Sequence, residues 1–218
     1  MESIVDIRDV FLGYDRNSII LENINVKINK GQFFVIKGKN GIGKTTFIRF
    51  LYMKLLPIKG EYYIFNNKVE IKDRTYIQKT RKRIGVIQQN SYLIPYLSVF
   101  QNIQISLEIQ SKDKYNFNNK ILQILKWVGI EKKINEKIQT LSSGERQKVI
   151  LARAVVSNPE LIIADEPVLN LDDQTKKKIF FLLRSLTRLG TTVILSGSNI
   201  DFEEENNSIL NLDEYSRG

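Results

Sequence analysis

Apolar and polar residues alternate with period two from Ile4 to Val10, and more loosely from Ile19 to Ile28, which predicts half-buried strands. Gln32 to Lys37 (QFFVIK) is a continuous apolar run of the kind expected of a strand covered on both faces. A glycine-rich turn follows, and a helix is predicted from Lys44 to Leu56, which Pro57 helps to end. Residues 61 to 87 read as short strands around one polar helix, closing in RIGVI (Arg83 to Ile87). From Ser98 to Val156 the pattern becomes helical. Ile121, Leu122, Ile124, Leu125 and Val128 recur at helix spacing, Gly129 supplies a stop, and a long helix opens at Ser142. Strand and helix then alternate, with LIIAD (Leu161 to Asp165), a helix from Asp172 to Leu189 and TTVILS (Thr191 to Ser196). This order implies an α/β chain whose parallel sheet is covered on both faces, with residues 98–156 inserted as a mainly helical subdomain. No repeat or Pro/Gly/Ser-rich linker divides the sequence, so residues 1–218 read as one domain.

Composition narrows the chemistry. The chain has neither cysteine nor histidine, which excludes disulfides, thiolate or imidazole metal sites, and Ser-His or Cys-His catalysis. Catalysis here must use carboxylates, lysine, hydroxyls, backbone amides or a cation held by oxygen. A net charge of +9 suits an acidic partner such as nucleic acid, an anionic membrane surface or a phosphate-bearing ligand; a Lys- and Asn-rich composition accounts for it equally well. The start, MESIVDIRDV, reads as an edge strand and not as a secretory signal, and the longest apolar runs are strand-sized, so a soluble, cytoplasmic chain is expected. Lys68 to Arg83 is basic and reads as a solvated helix, or else as a face near lipid headgroups. Asp201 to Glu214 holds six acids and no base, and reads as a solvated tail.

The chemistry-bearing segment begins after the buried strand QFFVIK. Residues 38–46 read GKNGIGKTT and match G-x-x-x-x-G-K-[ST], so Gly38, Lys39, Asn40, Gly41, Ile42, Gly43, Lys44, Thr45 and Thr46 form a candidate phosphate-binding loop. Glycines let successive N–H groups turn inward around an anion, and the following helix adds its unpaired N–H groups and positive dipole end. Lys44 supplies a full charge to the terminal phosphates, and the Thr45 hydroxyl suits Mg²⁺. Farther on, LIIADEP sets Asp165 and Glu166 at the carboxyl end of a buried strand, where ligands bind in parallel α/β sheets. Asp165 suits a cation, and Glu166 suits a base that accepts a proton from an attacking water; without the phosphate loop, Pro167 would make a helix-capping acid pair a fair reading.

LSSGERQ (Leu141 to Gln147) resembles the signature motif of ATP-binding cassette (ABC) proteins, and it precedes the acidic strand as in that family. The other family elements follow in order: Tyr14 at the adenine-stacking position, Gln89 in VIQQNSYLIP at the glutamine loop, and NLD (Asn170 to Asp172) at the D-loop. The resemblance spans residues 4–200. It is greatest to the cell-division ATP-binding (FtsE) family, through FIRFLYMKLLPIKGEYYIF, RKRIGVIQQNSYLIPYLSVFQNI and ARAVVSNPELIIADEPVLNLD, and lipoprotein-releasing and macrolide-exporting ATPases share much of the same pattern.

The resemblance implies a P-loop NTPase core with a mainly parallel sheet, an N-terminal antiparallel β subdomain and an inserted helical subdomain. It implies ATP and Mg²⁺ as cofactors, with Glu166, Gln89 and position 198 catalytic and Thr45, Gln89 and Asp165 near the metal. Ser142, Gly144 and Asp172 would meet nucleotide bound to the other subunit of a head-to-tail homodimer. An integral membrane partner, FtsX-like or a permease, would hold the chain on the inner face of the membrane. Cassettes that act on nucleic acid or ribosomes usually carry paired cassettes, zinc modules or long coiled coils, which this chain lacks. The aromatic run Tyr92, Leu93, Ile94, Tyr96, Leu97 and Phe100 is either core or a groove for the membrane partner.

The chain departs from the family pattern in three places. Ser143 stands where glycine is usual, Val168 and Leu169 replace Thr-Gly, and Ser198 stands where a histidine normally reaches the γ-phosphate. ATP binding with slow hydrolysis is therefore expected, and an ATP-gated module with little hydrolysis is an alternative.

Overall fold

The computed structural model describes residues 2–15, 18–70, 73–88, 92–110, 116–197 and 208–216. In chain order the strands are β1 (Ser3–Gly13), β2 (Ile19–Asn29), β3 (Phe33–Lys37), β4 (Lys59–Ile64), β5 (Asn67–Lys68), β6 (Ile84–Ile87), β7 (Leu161–Asp165), β8 (Thr192–Ser196) and β9 (Ser208–Asn211). The helices are α1 (Lys44–Leu51), α2 (Arg74–Lys82), α3 (Val99–Gln110), α4 (Phe117–Val128), α5 (Ser143–Val155) and α6 (Asp173–Arg188).

The alternating N-terminal strands form an antiparallel sheet in the order β2-β1-β4-β5, and the apolar strands form a parallel sheet in the order β6-β7-β8-β3-β9. Period two along the parallel strands divides their side chains between two cores. Phe33, Val35, Ile162, Ala164, Val193 and Leu195 join the core shared with α3–α6. Phe34, Ile36, Leu161, Ile163 and Ile194 face the antiparallel sheet together with Phe47, Ile48, Phe50 and Leu51 of α1. The sheet is therefore covered on both faces, as the sequence implied. The first helix thus runs between the two sheets, which explains why it is buried along most of its length.

The predicted α1 ends early, at Leu51, not at Leu56. Arg81 closes its end, donating from Nε to Tyr52 O at 3.1 Å and from Nη2 to Met53 O at 2.8 Å. Arg83 pairs with Glu160 through both carboxylate oxygens, at 2.6 and 2.9 Å. Part of the basic stretch 68–83 thus serves internal contacts. α4 stops where the sequence placed its stop, with Gly129 left-handed at φ 72°. α3 and α4 pack on α5, and α5 lies on the sheet so closely that a Cβ at Gly85 would stand 2.3 Å from Ala154 O.

One expectation is overturned. Of the acidic segment taken as a solvated tail, residues 208–214 are structural. β9 pairs parallel with β3 at the sheet edge, and Leu210 and Leu212 are buried. Apolar Ile209, Leu210 and Leu212 among the acids decide the outcome, since two buried leucines outweigh a pair of acids kept at the surface. Residues 201–207 lie outside the described residues. Among the described residues no helix is long and apolar enough to cross a membrane.

Candidate nucleotide site

β3 delivers the loop at its carboxyl end, and the loop turns directly into α1. Gly43 is the N-cap residue of that helix at φ 109°, and a Cβ there would stand 2.9 Å from Ile20 Cγ2; both the backbone angle and the space require glycine. Gly41, at φ 83°, has nothing within 4 Å of a Cβ position, so its side of the loop is open. Ile42 packs its side chain on the core beneath. Asn40, Gly41, Gly43, Lys44, Thr45 and Thr46 line a cavity of about 400 Å³, closed on the far side by Glu166 and Leu169.

Lys44 is buried, with 6 % of its surface exposed. Its ammonium donates to Gly38 O at 2.9 Å and Lys39 O at 3.0 Å and lies 3.8 Å from Glu166 Oε1. The cation is thus held at the inner end of the cavity by loop carbonyls and one acid. Lys39 N–H points the other way and donates to Asp213 Oδ1 at 3.1 Å, which ties the loop to the segment after β9.

β7 pairs with β8 so that Asp165 and Ser196 are opposite. Asp165 and Ser196 are both buried. Ser196 Oγ donates to Asp165 Oδ1 at 2.6 Å, and Glu166 N–H donates to Ser196 Oγ and to Ser196 O, each at 3.2 Å. Glu166 has φ 45°, in the left-handed region that residues with a side chain seldom occupy. That turn separates the two acids: Asp165 stays within the sheet, and Glu166 projects to the cavity.

A cavity walled by loop N–H groups, a helix N-terminus and a buried lysine suits a polyphosphate anion. Among the described residues no cluster of three or more metal-binding side chains stands alone. A hard cation here would need phosphate oxygens to complete its shell, which is how Mg²⁺ is commonly held beside nucleotides.

The other predicted residues lie apart. Tyr14 follows Gly13, which pairs with Ile19, and is 67 % exposed; it does not line the cavity beside Lys44. Ser142 caps α5 in a reciprocal box: Glu145 N–H donates to Ser142 Oγ at 3.3 Å, and Ser142 N–H donates to Glu145 Oε2 at 2.9 Å. The bond from Ser142 N–H, reinforced by Lys133 at 3.0 Å, holds the Glu145 carboxyl below its ordinary range. Ser143 is exposed in the first turn, and Gly144 faces Thr175 of α6. Asp172 caps α6 by accepting from Thr175 N–H at 3.0 Å, and its carboxyl is lowered first by the Thr175 hydroxyl and then by that N–H. Ser142, Gly144 and Asp172 thus share one edge and do not line the cavity beside Lys44. Gln89 and Ser198 lie outside the described residues.

Three contributors escaped the sequence reading. Ser196 was taken only as a strand end. Tyr52, just past α1, has a phenol raised above its ordinary range by burial, with Arg49 opposing and Asp165 adding; its hydroxyl accepts from Gln88 Nε2 at 3.0 Å. Asn102 is fully buried in α3 and organises the aromatic run. Its Oδ1 accepts from Ile94 N–H at 2.8 Å, and its Nδ2 donates to Ile94 O at 3.1 Å and Ser98 O at 3.0 Å. The run itself divides, with Leu93 in the core and Tyr92 and Tyr96 exposed at 86 % and 72 %.

The model of the ABC transporter family matches residues 21–169. The cell division ATP-binding protein FtsE of Streptococcus pneumoniae is 35 % identical over 198 residues, covering 90 % of this chain and 86 % of that protein. FtsE of Bacillus subtilis is 33 % identical, covering 89 % and 86 %. The dimeric ATP-binding cassette MJ0796 bound to ADP and Pi superposes with a TM-score of 0.86 at 31 % identity, covering 95 % of this chain and 94 % of that one. The match spans phosphate loop, signature helix and acidic strand in one order and one architecture, and the chain belongs to the ABC transporter family of ATP-binding cassettes.

Proposed function

We propose that this chain is the Mg²⁺-dependent ATPase subunit of a membrane ABC complex of the cell-division type, working as an ATP-bridged homodimer. The observation that carries the reading is the single cavity that joins the phosphate loop, buried Lys44 and Glu166. In this reading the N–H groups of Gly41, Gly43, Lys44, Thr45 and Thr46 cradle the phosphates, and Lys44 neutralises the terminal ones. Tyr14 stacks on adenine. Thr45, Gln89 and Asp165 hold Mg²⁺, which supplies charge neutralisation on the phosphate oxygens. Glu166 accepts a proton from water as the γ-phosphoryl group passes to that water and ADP keeps the bridging oxygen. Ser198 replaces the usual histidine, and turnover is slow.

Ser142, Gly144 and Asp172 sit on an edge away from their own chain's cavity, so in the proposed dimer they cap nucleotide bound to the partner. The whole chain acts as one ATP-binding domain, with residues 98–156 moving as its helical part. Gln89 comes between β6 and that part in the sequence and would convert nucleotide state into movement. Exposed Tyr92 and Tyr96 on the loop braced by Asn102 form the face for an FtsX-like or permease subunit, and the chain is peripheral on the inner side of the membrane. The relatives' printed names support cell division over import: FtsE covers most of both chains, whereas methionine import ATP-binding protein MetN of Francisella tularensis, at 32 % identity, is spanned over 58 % of its length. The test is light scattering of Glu166→Gln with Mg-ATP at tens of micromolar. A dimer is expected; a monomer at every nucleotide concentration overturns the reading.

A further inference from the structure

We infer that Ser196 is a positioning residue that fixes the two acids of the ATPase site relative to one another. The inference rests on the ATPase reading above and adds to it a residue with no place in the motifs. Ser196 closes β8, the strand between β7, which carries Asp165, and β3, which leads into the phosphate loop. It pairs with Asp165 on one side and with Ile36 on the other. A hydroxyl that is completely buried needs partners, and both of its partners belong to the site.

Its single proton goes to Asp165 Oδ1 at 2.6 Å, the length of a charge-assisted bond. Among the described residues no other hydrogen-bond donor reaches this carboxylate. Spending that bond on Oδ1 sets the rotation of the carboxyl and so decides where Oδ2 is presented. As an acceptor the same oxygen takes Glu166 N–H, which also bonds Ser196 O. Glu166 needs such a hold, since its backbone sits at φ 45°, where surroundings must enforce the conformation. One hydroxyl therefore sets both the orientation of Asp165 and the turn that aims Glu166 at the cavity. Ser196 also lies two residues before position 198, so the strand end that lacks the usual imidazole still braces the acids through a neighbouring hydroxyl.

The test uses the full chain and a fluorescent ATP analogue, titrated with and without Mg²⁺. Ser196→Ala is expected to leave affinity without Mg²⁺ within about twofold, to raise the Mg²⁺ concentration for half-maximal tightening about tenfold, and to lower kcat about tenfold with little change in KM. In an Asp165→Asn background Ser196→Ala should add nothing to the Mg²⁺ shift. In protein free of nucleotide and Mg²⁺, amide exchange at Glu166 should quicken. Should the alanine variant not fold, Ser196→Cys keeps the packing with a weak donor and should show the same direction of change. Unchanged Mg²⁺ response and kcat in a chain that otherwise hydrolyses ATP overturns the inference alone. An equal loss of affinity without Mg²⁺ also overturns it, because that is the mark of a merely structural role. A wild-type chain that binds no ATP overturns both this inference and the ATPase reading.

Discussion

Lys44 Nζ lies 3.8 Å from Glu166 Oε1, so the buried cation of the phosphate loop and the acid at the end of β7 face each other across one cavity. A terminal phosphate entering the cavity beside this pair would be drawn to the lysine and opposed by the glutamate. The two side chains therefore pull in opposite directions on binding, although both serve turnover in the proposed reaction.

Substitution should separate those effects. Lys44→Ala removes a buried charge that attracts phosphate and should weaken ATP binding on the order of a hundredfold. Glu166→Gln removes the opposing charge, so ATP affinity should hold or rise while turnover falls about a hundredfold or more. Calorimetric titration with ATP beside phosphate release decides this; equal losses of affinity in both variants would contradict the opposed roles.

Gly144 is flanked by Thr175, with Cγ2 at 3.4 Å and Oγ1 at 3.6 Å from a Cβ position. That is ordinary contact, so Gly144→Ala should fit the isolated chain and raise its stability by about 0.5 kcal/mol through lost backbone freedom. The same methyl stands on the edge proposed to meet the partner's nucleotide, and ATP-driven dimerisation should weaken. Thermal unfolding together with light scattering checks the split. A variant that unfolds earlier, or dimerises as the wild type does, would contradict it.

The strongly patterned parts of this fold were legible from the chain alone. Alternation in Ile4–Val10 and the apolar runs 33–37 and 161–165 define strands, because one-faced and two-faced burial leave different periods. Glycine and lysine in GKNGIGKTT could be read for the same reason, since only such residues make a backbone cradle with a buried cation. Asn102 and Ser196 could not. Each is a single polar residue in an apolar element, and its meaning depends on backbone groups that tertiary pairing brings to it. The edge strand Ser208–Asn211 was hidden by charge, since its acidic surroundings masked the two leucines that dock it.

The capping box on α5 should register in acid. Glu145 is held below its ordinary 4.5 first by Ser142 N–H and then by Lys133. A lowered carboxyl contributes stability that is present above the ordinary value and is lost as pH falls through the folded one. Gln keeps the box's geometry and removes only the charge, which solvent screens, so Glu145→Gln should cost about 0.3 kcal/mol at pH 7. Against wild type, that difference should shrink below pH 4.5. Chemical denaturation at pH 7 and pH 3.5 measures it, and a gap that widens in acid would reverse the sign.

Ser198 offers the sharpest test of turnover, because the chain contains no histidine and an identical partner can supply none. The residue lies outside the described residues, but the strand end before it is well fixed: Gly197 N–H donates to Ile36 O at 3.2 Å, and Ser196 binds Asp165. Position 198 is the next residue in the chain after this fixed strand end. Imidazole is longer than a hydroxymethyl group and can carry charge, whereas serine is shorter and would need an interposed water to bind a phosphate oxygen. Ser198→His should raise ATP turnover in the complex with the membrane partner by on the order of tenfold to a hundredfold. The gain should vary with pH around about 6.5, the ordinary histidine value, where the parent chain has no imidazole to titrate. Adding Glu166→Gln should abolish it. Phosphate release measured across pH 5.5–8 for the parent, Ser198→His and the double variant decides the matter: a rise without pH dependence would move the effect away from the imidazole, and no rise at all would place the limit on turnover elsewhere in the site.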